Sequence, residues 1–161
     1  MASIKLVYFD IRGRAEFIRL VLEAAGQEYE DERVQFADWP TVKPSLYGKT
    51  NLDGLRIDEV HGLWEDQMQN IAEFLRKALE EDLPKYFGFY EKMLKDNGGS
   101  GYLVGNSVSL GDFYLYDMQD NLLQLKKDAL KDYPLMQKLR QNVESQPLVK
   151  AYLARRKETI F

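Results

Sequence analysis

The chain contains no cysteine and a single histidine, His61. The first absence excludes disulfide staples, thiolate metal sites and a cysteine nucleophile of its own. The second excludes a multi-histidine metal centre. No apolar run approaches the ~18 residues that span a bilayer, so no membrane partner is expected. The opening MASIKLVYFD has no apolar core of ~7–15 residues behind a basic cap, so no secretory signal is expected. Positive charge is not concentrated either: 22 Lys and Arg against 26 Asp and Glu give a formal net charge of −4, with the signs mixed along the chain. Without a basic stripe, nucleic acid is not expected as a partner. What is present is an ordinary globular balance, 45% apolar and 30% charged residues in a chain of 161. That is enough for one domain or two small ones, and a cytoplasmic location is the default expectation.

SIKLVYFD brings Leu6, Val7, Tyr8 and Phe9 together, as in a strand buried on both faces. In IRGRAEFIRLVLEAAG, Phe17, Ile18, Val21, Leu22 and Ala25 recur at helical spacing, and Gly26 suits the position just past a helix end. EYEDERVQF reads as a second strand through Tyr29, Val34 and Phe36, against its acidic middle. Together these make a βαβ opening. ADWPTVKPS, punctuated by Pro40 and Pro44, reads as a loop.

From Asn51 onward the pattern is helical. Ile57, Val60, Trp64, Met68, Ile71, Leu75 and Leu79 step by three or four and predict a long amphipathic helix. A short connection around Lys77 to Leu83 leads to a second helix through Phe87, Tyr90 and Leu94, which stops at Asn97 and Gly98. In NSVSLGDF, Ser109 and Asp112 form a capping box, with Val108 and Phe113 placed as its hydrophobic staple, and a helix is predicted to about Leu125. Pro134 and Pro147 sit where first helical turns accept proline.

Several side chains could carry chemistry. Tyr8 ends the first strand, and ligands of α/β sheets bind at strand carboxyl ends. Its phenol is mostly protonated at neutral pH and donates a hydrogen bond. A donor aimed at a bound thiol stabilises the thiolate, which is the nucleophile. Taken alone, Tyr8 reads first as a strand-forming aromatic. Arg14, in the first turn of the helix, could support an anionic ligand or pair with a surface acid such as Glu16. Trp39 and Lys43 flank Pro40 and offer two donors suited to a carboxylate, or a packed indole on an exposed loop.

In order and spacing these residues carry a resemblance. YFDIRGRAEFIRLVLEAAGQEYEDERVQFADWPTVKPS resembles the opening of the sigma-type cytosolic glutathione transferases, a family that includes haematopoietic prostaglandin D synthase and the S-crystallins. YGKTNLDGLRIDEV, GYLVGNSVSLGDFYLY and PLVKAYLARRKETIF resemble its helical domain, in family order. The resemblance implies a two-domain fold: a thioredoxin-like α/β domain over residues 1–45, here a βαβ remnant, and an all-α domain over 46–161. It implies a cytoplasmic homodimer, glutathione as substrate or cofactor, and a hydrophobic electrophile. Tyr8 matches the tyrosine that activates the glutathione thiol, and Arg14 its supporting arginine. Trp39 and Lys43 match the pair at the glycine end of glutathione. Asp66 matches, more loosely, an acid that reaches the γ-glutamyl amine from the partner subunit. Glu65 and Asp66 also resemble part of a cation-binding cluster, but a solvated helix face is the better reading and no metal is expected.

The resemblance also implies an omission. After KPS the family continues with a loop, two antiparallel strands and a helix, about 30 residues in all. Nothing between Ser45 and Leu46 corresponds to them. That segment would supply backbone groups for the cysteinyl part of glutathione and a helix N-terminus for its γ-glutamyl carboxylate. Three readings follow: a conjugating transferase, a non-catalytic truncated relative of the S-crystallin kind, or a glutathione-dependent prostaglandin isomerase.

Overall fold

The computed structural model describes residues 4–46 and 77–159, in two compact units, Met1–Gln35 with Phe87–Phe161 and Phe36–Tyr86. Strand β1 (Ile4–Phe9), helix α1 (Ala15–Ala24) and strand β2 (Tyr29–Val34) open the chain. A 3-10 turn at Phe36–Asp38 leads into α2 (Trp39–Leu46). After a π-helical turn at Ala78–Asp82 come α3 (Leu83–Asp96), α4 (Leu110–Leu125), α5 (Pro134–Glu144) and α6 (Pro147–Arg155).

In the first unit, β1 and β2 pair in parallel with Tyr8 opposite Arg33, as a strand–helix–strand unit requires. α1 ends as its sequence predicts. Gly26 adopts φ 62°, its N–H donates to the Glu23 carbonyl at 3.0 Å, and the Gln27 N–H donates to the Leu22 carbonyl at 2.9 Å. These two bonds close a Schellman motif. The acidic middle of β2 is tolerated because cations meet it: Lys5 pairs with Glu30 and Glu32, and Arg19 and Arg33 pair with Asp31. Charges along a strand also protect it from pairing with another chain.

The helices of this unit pack on one another and on α1, which lies against α4 and α6. Their core is apolar and includes Phe87, Leu94, Met136, Leu139, Val143 and Val149. The termini are well capped. Asp112 accepts from the Ser109 N–H and hydroxyl, both at 2.7 Å, and from the Leu103 N–H at 2.8 Å, so the expected capping box is present. Pro134 and Pro147 open α5 and α6. Glu91, on α3, accepts from the Leu135 and Met136 N–H groups at 2.8 and 3.0 Å. It thereby satisfies donors that a helix start leaves free.

Two expectations are corrected. ADWPTVKPS is not a loop, since Trp39–Leu46 is helical. Pro40 falls in a first turn, where its missing N–H is not needed. Pro44 removes one interior hydrogen bond, which this short helix tolerates. The connection expected around Lys77 to Leu83 is instead a π-helical turn that runs directly into α3. The long helix expected from Ile57 lies largely outside the described residues, as do Glu65, Asp66 and the LYGKTNLDG linker after Leu46.

Candidate functional site

The site begins where β1 gives way to α1. Tyr8, one residue before the strand ends, is half-buried, and among the described residues its hydroxyl has no hydrogen-bond partner. The chain then turns sharply. The Ile11 N–H donates back to the Phe9 carbonyl at 2.7 Å, and the Asp10 N–H donates to the Val34 carbonyl at 3.1 Å. Asp10 gathers Arg33 at 3.2 Å, Gln35 at 3.2 Å and Lys157 at 3.2 Å. Hydrogen bonding from Lys157, with that from Arg33 and Gln35, holds its carboxyl below the ordinary aspartate value. Gly13 takes φ 43° and Arg14 caps α1.

Arg14 points to solvent and, among the described residues, pairs with no acid. The alternative pairing with Glu16 is not made. Glu16 is buried and belongs to a different set: it accepts from the Tyr152 hydroxyl at 3.0 Å and from Arg156 at 3.0 Å, with Arg19 at 3.5 Å. Burial and the Glu16 charge push the Tyr152 phenol well above its ordinary range. Asp120, on α4, takes Arg12 at 2.8 Å, Arg140 at 2.7 Å and Arg156 at 2.9 Å. Burial alone would raise the Asp120 pKa, but hydrogen bonds and charge from Arg140 and Arg156 outweigh it and hold the carboxyl low. Arg12 also donates to the Thr159 carbonyl at 3.2 Å. Arg19 donates to the Ile11 and Arg12 carbonyls at 3.0 and 3.3 Å. The turn carrying Gly13 and Arg14 is therefore tied from both sides by buried guanidinium groups. Bonds of this kind, with one or both partners charged, are the strong ones.

Nearby on α4, the Asp117 carboxylate has no such support among the described residues. Burial, with Glu16 and Asp120 close by, pushes its carboxyl up to about 6 despite Arg12 and Arg156.

Trp39 and Lys43 lie in the second unit, both half-buried and four residues apart on α2. That spacing puts them on one helix face, as a joint contact would need. Asp66 lies outside the described residues. Among the described residues no group of His, Cys, Asp and Glu could hold a metal ion, and no helix is long and apolar enough to cross a membrane.

Sequence reasoning missed the roles of Arg12, Asp120 and Arg156, and the contact made by Gly13. The spacing of Arg12, Glu16 and Arg19 gave no signal. Glu16 and Arg19 lie on the side of α1 opposite Phe17, Ile18, Val21 and Leu22, where polar residues are expected at the surface, and Arg12 precedes the helix.

The fold and the turn after β1 define a two-domain protein, with a thioredoxin-like N-terminal domain and a helical C-terminal domain. Family comparisons agree. The family model described as "Glutathione S-transferase, N-terminal domain" matches residues 4–55, and that described as "Glutathione S-transferase, C-terminal domain" matches 57–156. The chain belongs to the glutathione S-transferase family. It is 32% identical to hematopoietic prostaglandin D synthase of Mus musculus over 202 positions, covering 99% of each chain. It is 27% identical to an S-crystallin of Nototodarus sloanii over 205 positions, covering 100% of each. Among solved structures, rat hematopoietic prostaglandin D synthase in complex with a quinoline superposes with a TM-score of 0.78 at 28% identity, covering 99% of this chain and 100% of that one.

Proposed function

We propose that the chain is a sigma-class cytoplasmic glutathione transferase in which Tyr8 activates the glutathione thiol for addition to a hydrophobic electrophile. The observation that carries this reading is Tyr8 itself: a phenol at the carboxyl end of β1, half-buried, whose hydroxyl bonds to no group among the described residues and so is free to donate to a ligand. A thiol of pKa near 8.5 is little ionised at neutral pH, and a donor at the sulfur raises the reactive fraction. Arg14, exposed at the start of α1, adds positive charge on the same turn. Trp39 and Lys43 take the glycine carboxylate from their shared face of α2, and Asp66 of a partner subunit takes the γ-glutamyl amine in a homodimer. We place the domain boundary after Ser45, with the thioredoxin-like domain over residues 1–45 and the helical domain over 46–161.

The alignment with the mouse relative spans 202 positions against 161 residues here. This difference supports an omitted segment, which we place between Ser45 and Leu46. It also supports a second reading, in which the chain keeps the fold and has lost conjugation. Titrating glutathione into the purified chain by calorimetry separates the two. Binding in the micromolar to low-millimolar range favours the transferase, and its absence from a folded sample favours the second reading. For the transferase, Tyr8→Phe is expected to lower the conjugation rate about 100-fold, the usual effect of removing one donor to a developing anion. An unchanged rate would remove Tyr8 from the mechanism. Product analysis with a prostaglandin endoperoxide tests whether the same thiol also serves an isomerisation.

A further inference from the structure

Gly13 is the residue on which the Tyr8 side chain rests. A Cβ placed on Gly13 would lie 2.9 Å from the Tyr8 hydroxyl oxygen, 3.0 Å from one ring carbon beside it and 3.3 Å from the carbon that bears the hydroxyl. The first of these is inside normal contact distance, so a side chain here forces something to move. The backbone of the turn is the stiffer partner. Arg12 anchors it to Asp120 at 2.8 Å and to the Thr159 carbonyl at 3.2 Å. Arg19 binds the Ile11 and Arg12 carbonyls, and the Glu16 N–H binds the Arg12 and Gly13 carbonyls at 3.0 and 3.2 Å. The phenol end of Tyr8 has no hydrogen bond among the described residues to hold it. It is the group that gives way.

We propose that Gly13, fixed by the Arg12–Asp120 pair, is a positioning residue that sets where the Tyr8 hydroxyl points. The glycine serves for what it lacks: the bare Cα lets the turn close over the ring, and the ring then has one seat. The carboxylate that fixes the turn lies on α4, so the helical domain reaches the thiol-activating group through the Arg12 side chain. This inference rests on the assignment of Tyr8 as the thiol-activating residue.

The variants are Gly13→Ala and Gly13→Asn. They add the same Cβ, but Asn accepts a positive φ far more readily than Ala. Backbone strain is therefore smaller in Gly13→Asn than in Gly13→Ala, and an effect of equal size in both belongs to the Cβ. The first readout is the Tyr8 ring carbon signal in protein labelled at the tyrosine Cζ, identified by its loss in Tyr8→Phe. It needs no substrate and does not depend on turnover. Both variants are expected to shift that signal while leaving the other tyrosine signals in place. The second readout is the pH profile of conjugation to an aryl chloride. A displacement of a few tenths of an ångström is expected to cost about tenfold in kcat/KM for glutathione at pH 6.5. The loss is recovered at high pH, where the thiol ionises unaided, and the KM for glutathione changes less than twofold. A Tyr8 signal unmoved in both variants overturns the inference, as does a shifted signal with an unshifted pH profile. Wild-type conjugation in Tyr8→Phe overturns the Tyr8 assignment instead, whatever the Gly13 variants do.

Discussion

In the helices of the first unit, Phe87, Leu94, Met136, Leu139, Val143 and Val149 are fully buried. They form an apolar core whose one interhelical ion pair among the described residues joins Arg140 of α5 to Asp120 of α4. In the strand–helix–strand part of the same unit, the buried apolar residues among those described are only Ala15, Leu20 and Val34. Two other fully buried side chains there, Glu16 and Arg19, are charged. One part is held by packing. The other is held against it by Arg12, Arg156, Asp120 and Glu16, with Arg155–Glu23 and Lys157–Asp10 at the rim. Burial of apolar surface is indifferent to charge. A buried ion network is not, and removing one partner leaves the others uncompensated. Tyr8 and the turn after β1 sit on the electrostatic side of this division.

Asp120→Asn is therefore expected to have the largest effect, about 3–5 kcal/mol of lost stability, because three guanidinium groups lose their shared anion. The loss should fall first on β1 and β2. Native-state hydrogen exchange is the measurement: strand amides are expected to lose protection while amides of α3, which carries none of the three arginines, keep most of theirs. Parallel loss in both would mean that the two parts open as one unit and that the contrast has no energetic content. The low pKa of Asp120 adds a sign. Its contribution is present above the unfolded value near 3.9 and disappears as pH falls through the folded one.

Leu139→Ala sharpens the contrast from the other side. Truncating a fully buried leucine is expected to cost about 3 kcal/mol, with little dependence on pH or salt. Urea unfolding at two salt concentrations checks this. A salt dependence as large as that of Asp120→Asn would mean that the helical core is not the neutral reference it is taken to be.

This division also explains what could be read in advance. Gly26, the Ser109–Asp112 box, Pro134 and Pro147 act on neighbours within a few residues, so the chain announces them locally. β2 was legible despite its acids because Tyr29 and Val34 carry the strand pattern. Arg12 and Asp120 lie 108 positions apart, and Glu91 caps a helix 44 positions away. No local period encodes such pairs. Pro44 misled because proline marks a loop only when the missing bond matters. For the candidate site, Tyr8, Arg14, Trp39 and Lys43 were visible as residue types in a known order. The seat that Gly13 makes for Tyr8 was not, since it is a property of the turn.

The smallest expected effect has the opposite sign. Asp117 faces Glu16 and Arg12 from the first part, Asp120 on its own helix and Arg156 after α6, and its carboxyl is pushed up to about 6. Unfolded, the same group titrates near 3.9. Between these values the folded chain binds more protons than the unfolded one, so stability falls as pH rises through that window. The penalty is complete above about pH 6. Asp117→Asn keeps the shape and removes the charge. It is expected to gain about 1–2 kcal/mol at pH 7.5, after allowance for partial exposure, and roughly half of that at pH 5. Thermal unfolding of both chains at the two pH values measures it. Equal gains at both would mean that Asp117 does not titrate in this window. A loss at pH 7.5 would mean that its negative charge serves the arginines after all, and Asp117 would then belong with Asp120 in the network that holds the strands to the helices.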